Sequence, residues 1–129
     1  MKEGLFEHVN MTVSDPDKTA EMLVQLFGWH VRWAGESKYG GRTVHVGTDT
    51  HYVALYNLPG SKATEPDGSY TQVGAVNHLG ILVEDLGAAE KRVLDLGIKT
   101  HSHQTYDPGS RFYFHDEDGI EYEVVSYAS

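Results

Sequence analysis

Hydrophobic and polar residues alternate in two short segments that share nearly the same pattern. Residues 8–15 read HVNMTVSD, and residues 78–85 read HLGILVED. In each segment a His comes first, apolar residues recur at every second position, and an Asp closes the run. Both segments therefore predict a β-strand with one buried face. Their likeness predicts an internal repeat.

A segment with helical periodicity follows each of these strands. The first reads PDKTAEMLVQLFGW and the second reads LGAAEKRVLDLGI. Ser14 or Asp15 can cap the first helix, and Pro16 suits its first turn. The Gly that closely follows a Leu, at Gly28 and at Gly97, is typical of the residue just past a helix end.

Three strand-like segments follow each helix, separated by Gly-rich or Asp-Gly turns. The pattern predicts βαβββ twice, which is an α+β fold built from two modules. Module one covers about residues 4–58 and module two about 75–127, and a polar connector with Gly and Pro covers 59–74. We expect one domain, 1–129, in which two curved mixed sheets form a cup around a metal site.

Strand alternation predicts which side chains face away from the helices. His8 and His78, at the starts of the two equivalent strands, fall on that side. In the last strand Glu121 and Glu123 share one face, where a carboxylate is costly unless it is paired or binds a metal. Two His and one carboxylate suit a divalent metal and leave about three positions of an octahedral ion open. Glu121 competes with Glu123 as the carboxylate ligand.

Composition narrows the range of partners. The chain has no Cys, so any metal must be held by nitrogen and oxygen ligands. The formal net charge of -9 disfavours a phosphate-covered partner such as DNA. No apolar run is long enough to span a membrane, and the N-terminus lacks the pattern of a signal peptide. We therefore expect a cytoplasmic protein that binds neither nucleic acid nor membranes.

The doubled pattern resembles the vicinal oxygen chelate superfamily, which includes glyoxalases, bleomycin-resistance proteins and extradiol dioxygenases. The blocks HVNMTVSD, HLGILVED and FYFHDEDGIEYEVV carry the resemblance, which extends over essentially the whole chain. In this superfamily the metal ligands lie on the first strand of each module and on a last strand. The resemblance therefore implies that His8, His78 and Glu123 bind Fe(II), or Mn(II).

Small single-domain extradiol-type dioxygenases are the branch that this chain resembles most. That resemblance implies O2 and a catechol-like or other vicinal-oxygen molecule as substrates. It implies His51 as the acid–base residue and Tyr113, ten residues before Glu123, as a hydrogen-bond donor to the substrate. Without the resemblance, His51 is equally well interpreted as a solvated residue at the end of a strand. An acid–base role for His51 requires a β-bulge or a late start of the strand. Tyr113 reads equally as an aromatic residue packed in the sheet. The other histidines are interpreted as structural or solvated: His30, His45, His101, His103 and His115.

Three other branches of the superfamily remain open. A glyoxalase-like isomerase of the glyoxalase I kind uses a fourth ligand, but the position equivalent to Glu123 in module one is Ala54. A Mn(II)-dependent thiol transferase of the fosfomycin-resistance type needs cations to hold a phosphonate, and the segment before FYF offers only His103 and Arg111. A metal-free binding protein generally lacks the ligand set. Small chains of the superfamily often dimerise, so we expect a homodimer.

Overall fold

Each half of the chain contains a strand, a helix and three further strands, in the order that the sequence predicts. The computed structural model describes residues 1–37, 40–63, 68–106 and 108–128. These residues group into two compact units, Met1–Ser61 and Lys62–Ser129. The prediction of a repeated βαβββ pattern in an α+β fold is therefore confirmed.

One helix and a four-stranded mixed sheet make up the first unit. Its elements are β1 (His8–Thr12), α1 (Pro16–Phe27), β2 (His30–Glu36), β3 (Arg42–Gly47) and β4 (Tyr52–Asn57). The strand order is β1-β4-β3-β2. The first and last strands pair in parallel, and the other neighbours are antiparallel.

The second unit repeats this topology after a short additional helix. Its elements are α2 (Gly68–Thr71), β5 (His78–Leu82), α3 (Leu86–Asp95), β6 (Thr100–Tyr106), β7 (Gly109–His115) and β8 (Glu121–Ser126). The strand order β5-β8-β7-β6 is equivalent to that of the first unit. Again the first strand of the module pairs in parallel with the last.

Aspartates cap the N-termini of both longer helices. The Asp15 carboxylate accepts a hydrogen bond from the Lys18 N–H at 3.2 Å, and Asp85 accepts from the Ala88 N–H at 3.0 Å. These bonds satisfy N–H groups that have no partner within the helix, and a negative charge suits that end. Gly28 ends the first helix with φ 70°, as its position predicts. Among the described residues, no helix is long and apolar enough to cross a membrane.

Each unit buries one face of its sheet against its helix. The fully buried side chains are Leu23, Leu26, Val44, Val46 and Leu55 in the first unit, and Val93, Phe112, Phe114, Tyr122 and Val124 in the second. Burying one large apolar side chain contributes about 1.5–3 kcal/mol. Since Phe112, Phe114 and Tyr122 occupy the helix side, alternation turns Tyr113 and Glu123 to the opposite face of the second sheet.

A carboxylate fixes the hairpin turn between β7 and β8. Asp116 accepts hydrogen bonds from the N–H groups of Asp118 and Ile120, at 2.9 and 3.0 Å, and from the Tyr122 hydroxyl at 3.0 Å. Burial raises the pKa of the Asp116 carboxyl, although these hydrogen bonds act in the opposite direction. The turn thereby holds the β7–β8 register, which pairs His115 with Glu121.

Removing the Asp116 carboxylate should destabilise the second unit. We expect Asp116→Ala to lower the free energy of unfolding by about 2–3 kcal/mol, because three donors lose their acceptor. Asp116→Asn should cost less, since the amide oxygen still accepts from the backbone. Because the folded-state pKa of Asp116 is raised, the stability of the wild type should rise relative to Asp116→Asn as the pH falls towards about 4. Urea denaturation measures both effects, and a negligible loss in Asp116→Ala would contradict this account.

Candidate metal centre

His78 and Glu123, two of the predicted ligands, lie in contact on the second sheet. The distance from His78 Nε2 to Glu123 Oε1 is 3.0 Å. In the parallel pairing of β5 with β8, His78 stands opposite Glu121, and Gly80 stands opposite Glu123. Because Gly80 has no side chain, the His78 ring and the Glu123 carboxylate can meet across the strands.

The hydroxyl of Tyr70 orients the His78 ring from the other side. It donates a hydrogen bond to Glu121 and lies 3.2 Å from His78 Nδ1. Since its single hydrogen goes to Glu121, the Tyr70 oxygen can only accept a hydrogen bond from Nδ1. Burial, together with the hydrogen bond to Glu121, raises the pKa of Tyr70 to about 12, so the hydroxyl keeps its proton at neutral pH.

This arrangement makes the contact between His78 and Glu123 suitable for a cation. A neutral His78 that donates from Nδ1 has a lone pair on Nε2, and that lone pair faces Glu123 Oε1 at 3.0 Å. Two acceptors at this distance must share a proton or a metal cation. A metal-binding His also usually donates its second ring N–H to a polar group, which Tyr70 provides here. The pair therefore fits a divalent metal.

Arg111 occupies the remaining oxygen of Glu123. Its Nη1 donates to Glu123 Oε2 at 2.8 Å, and each of the two side chains is only 13% exposed. The guanidinium also lies over the Tyr106 ring, 4.4 Å from its centroid. The two carboxylate oxygens thus have separate partners, so a metal at Oε1 would leave the Arg111 pair intact.

Tyr113 lies on the same face as this pair. It stands opposite Glu123 in the β7–β8 register, and its ring meets the His78 ring edge-on at 5.5 Å. Burial, followed by the charge of Glu123, raises the pKa of Tyr113, so its hydroxyl remains a proton donor at neutral pH. Its neighbours Phe112 and Phe114 are the residues of this strand that pack in the core.

The first unit carries His8 on a face made of aromatic rings. His8 Nδ1 lies 2.9 Å from Glu7 Oε1, which leaves Nε2 as the nitrogen available to a metal. The His8 ring stacks on Tyr52 at 4.8 Å, and His45 stacks on Tyr52 at 4.6 Å. Burial lowers the pKa of His45, and repulsion from the positively charged Arg32 adds to the effect. At pH 7 His45 is therefore neutral and able to accept a proton.

His51 lies immediately before β4 begins at Tyr52. It is exposed, and its Nδ1 lies 2.8 Å from the Thr50 hydroxyl. Because the strand starts only after His51, strict strand alternation does not determine the direction of this side chain.

The sequence interpretation treated His45 as a structural or solvated residue. In the structure it lies on the same face as His8. The strand pairing that places it opposite Ala54 is a tertiary feature.

Four functional candidates in the second unit were missed or given another role by the sequence interpretation. Tyr70 belongs to a segment interpreted as a connector, and Arg111 was considered only as an anion ligand. His101 and His115 form a group with Glu121 in which the ligand atoms all lie within 4.8 Å of one another. The pairing of His115 with Glu121 follows from the register of a tight Asp-Gly hairpin, so that contact was predictable in principle.

The repeated pattern along the whole chain agrees with the comparison with known families. The profile of the Glyoxalase/Bleomycin resistance protein/Dioxygenase superfamily matches residues 5–124. The chain therefore belongs to this superfamily, as the resemblance implied. No curated protein matches the chain significantly.

Solved structures with the same fold span nearly the whole chain. A glyoxylase/bleomycin resistance protein/dioxygenase domain from Frankia sp. EAN1pec has a TM-score of 0.78 at 19% identity, covering 98% of both chains. The fosfomycin resistance protein FosX from Listeria monocytogenes, complexed with Mn(II) and sulfate, has a TM-score of 0.72 at 18% identity and covers 98% of this chain and 93% of its own. A glyoxalase family protein from Enterococcus faecalis has a TM-score of 0.73 at 18% identity, covering 96% and 97%. At these identities the likeness concerns the fold.

Loss of the Arg111 cation should destabilise the second unit. We expect Arg111→Leu to lower the free energy of unfolding by about 2–4 kcal/mol, because it leaves the largely buried Glu123 carboxylate without its cation. Lys91→Ala is the matched control: it removes an exposed pair with Asp95 at 2.7 Å and should cost less than about 0.5 kcal/mol. Chemical denaturation at pH 7 compares the two variants. Similar small losses in both would show that the buried pair contributes little.

Proposed function

We propose that the chain is a metal-dependent enzyme that carries out extradiol-type ring cleavage on a catechol-like or other vicinal-oxygen substrate. His78 and Glu123, with His8 as the third ligand, would hold Fe(II), or Mn(II). The observation that carries the proposal is the 3.0 Å contact between His78 Nε2 and Glu123 Oε1. The position of His8 in the repeat supports its inclusion. When bound, the metal would supply Lewis-acid chemistry towards the substrate oxygens and redox chemistry with O2.

The residues around the ligands have separate tasks in this proposal. Tyr70 orients the His78 ring through its contact with Nδ1, and Arg111 orients the Glu123 carboxylate through its hydrogen bond to Oε2. Both of these atoms face away from the contact between His78 and Glu123. Tyr113 donates a hydrogen bond from its hydroxyl to a substrate oxygen and thereby polarises it. None of these side chains needs to change its protonation state.

A catechol loses a proton on binding and regains one during ring cleavage, so a neutral imidazole is needed nearby. The resemblance to extradiol enzymes assigns this role to His51. His45 is the alternative, because it shares the face of His8 and has a lowered pKa. In this proposal the histidine accepts the proton and returns it to the product.

A fosfomycin-type reaction has weaker support from the side chains. The two cation candidates before the FYF block already have partners, since Arg111 binds Glu123 at 2.8 Å and His103 lies 2.6 Å from Glu90. A phosphonate needs uncommitted cations to offset its charge. The FosX structure with Mn(II) nevertheless makes Mn(II) worth testing beside Fe(II).

The ligand assignment predicts the effect of removing one carboxylate. Glu123→Ala should weaken Fe(II) binding at least about 10-fold, because the site loses its anionic ligand. Glu84→Ala, which changes an exposed carboxylate of the same unit, should bind Fe(II) like the wild type. Anaerobic purification followed by Fe(II) titration and elemental analysis gives the affinity and stoichiometry. Wild-type Fe(II) binding by Glu123→Ala would refute the assignment.

The acid–base role predicts a loss of turnover without a loss of metal. We expect His51→Ala to slow ring cleavage by about 10²-fold or more while its iron content stays at the wild-type level. His45→Ala tests the alternative, and His30→Ala, an exposed His beside Asp49, is the control. Oxygen uptake and the yellow absorbance of ring-fission products, across a panel of catechols, report turnover. If both His51→Ala and His45→Ala turn over like the control, neither histidine has the role.

A further inference from the structure

A second group of metal-type ligands lies on the same sheet, beside the pair of His78 and Glu123. His101 Nε2 lies 3.2 Å from His115 Nδ1, and His115 Nε2 lies 3.3 Å from Glu121 Oε2. His101 Nε2 lies 3.9 Å from the same Glu121 oxygen. We propose that His101, His115 and Glu121 form a second divalent-cation site, separate from the proposed site at His78 and Glu123 and selective for ions such as Zn(II).

The two oxygens of Glu121 separate this site from its neighbour. Oε1 accepts the hydrogen bond of Tyr70, the hydroxyl that orients His78. Oε2 faces the two histidines instead. Glu121 is only 9% exposed in its side chain, so its charge is largely removed from water and favours a nearby cation. The two sites therefore use different atoms and can be filled independently.

The spacing of the three ligand atoms suits a small cation. A tetrahedral Zn(II) with bonds of about 2.0–2.1 Å holds its ligand atoms about 3.3 Å apart. With Nε2 as the ligand atom of His115, its contact with Glu121 Oε2 already has this length, at 3.3 Å, and the contact of His101 Nε2 with the same oxygen is longer, at 3.9 Å. The ligand atoms of the three residues all lie within 4.8 Å of one another, and rotation of the exposed imidazole rings can shorten the longer contacts.

Secondary structure fixes the side chains that form the site. His115 ends β7 and stands directly opposite Glu121 at the start of β8, and the Asp116 turn holds that register. On β6, His101 stands opposite Tyr113. Beyond that pair, three residues of β6 span the same length of the sheet as two residues of β7, so β6 contains one extra residue. This β-bulge contains Ser102, whose φ is 56°. The distance from the Ser102 hydroxyl oxygen to His101 Nδ1 is 2.9 Å.

Because of the bulge, the next histidine of β6, His103, points to the opposite face of the sheet. His103 lies 2.6 Å from Glu90 of α3, on the helix side of the sheet, whereas His101 turns to Glu121. Without the extra residue the two histidines would point to the same face. The site is therefore built by a local irregularity, and His103 provides a matched histidine outside it.

The ligand chemistry favours Zn(II) or a similar ion over Mg(II) or Ca(II). Two imidazoles and one carboxylate are nitrogen-rich ligands, which suit Zn, Ni or Cu, whereas Mg and Ca prefer oxygen. The side chains of His101 and His115 are 38% and 42% exposed, so an ion and a completing water can enter from solvent. Three protein ligands with an open position resemble the coordination of catalytic zinc sites.

The site belongs to the second module alone. In the first unit Gly47 pairs with Tyr52 across β3 and β4, as His115 pairs with Glu121 across β7 and β8. Neither Gly47 nor Tyr52 offers a histidine or a carboxylate. The second site is therefore independent of the repeat that relates His8 to His78.

Zn(II) titration of the metal-free full chain tests the second site. Equilibrium dialysis and calorimetry give the stoichiometry, and Co(II) absorption reports the coordination. We expect two equivalents of Zn(II) per wild-type chain and one in His115→Ala. His115→Gln, which keeps a polar side chain at the strand end, should also bind one. His103→Ala should still bind two equivalents of Zn(II). Glu123→Ala should lose only the equivalent that binds at His78 and Glu123.

Failure of this inference differs from failure of the proposed function. The second site is refuted if His115→Ala and His115→Gln bind Zn(II) with wild-type stoichiometry and affinity, or if the wild type binds none. A single wild-type equivalent that is lost in Glu123→Ala but kept in His115→Ala also refutes it. Conversely, an equivalent lost in His115→Ala and kept in Glu123→Ala supports the second site, even if the ligand assignment at Glu123 fails.

Discussion

The parallel pairing of the first and last strands in each module determines the rest of the structure. In the second module this pairing sets His78 opposite Glu121 and Gly80 opposite Glu123. A shift of one residue would turn both carboxylates towards the helix, where Tyr122 and Val124 are now fully buried. The apolar residues of β8 therefore enforce the register that brings Glu123 to the His78 ring.

Charge compensation is the second requirement, because β8 places two carboxylates on one face. Glu121 interacts with Tyr70 and His115, and Glu123 interacts with His78 and Arg111. Each acid thus has its own donor, Tyr70 for Glu121 and Arg111 for Glu123, which limits the cost of removing it from water. These two donors hold the carboxylates in fixed orientations, and fixed oxygen ligands beside imidazoles are what a divalent metal requires.

The two modules share a topology but differ in the chemistry of the equivalent face. The first has an aromatic row in which Tyr52 stacks with His8 and His45 and lies beneath Arg32. The second has His78, Tyr113 and Glu121 at the positions that correspond to His8, His45 and Tyr52. The repeat therefore supplies the positions, and divergence of the residues at those positions supplies different chemistry. Membership of the superfamily establishes the fold, whereas the reaction depends on this local chemistry.

The sequence by itself determined the repeated βαβββ order, the start of the first helix at Ser14 or Asp15 and its end at Gly28, and the direction of the strand faces, because these follow from local periodicity and capping. It also identified His8, His78 and Glu123 as candidate ligands, with Glu121 as a competing carboxylate, whereas His101 and His115 were interpreted as structural or solvated. The tertiary structure decided which of them meet: the pairing of Glu123 with both His78 and Arg111, and the turn of His101 towards Glu121, depend on register between distant strands and on a bulge at Ser102. Those contacts join residues far apart in the chain, and local patterns carry little information about such pairing.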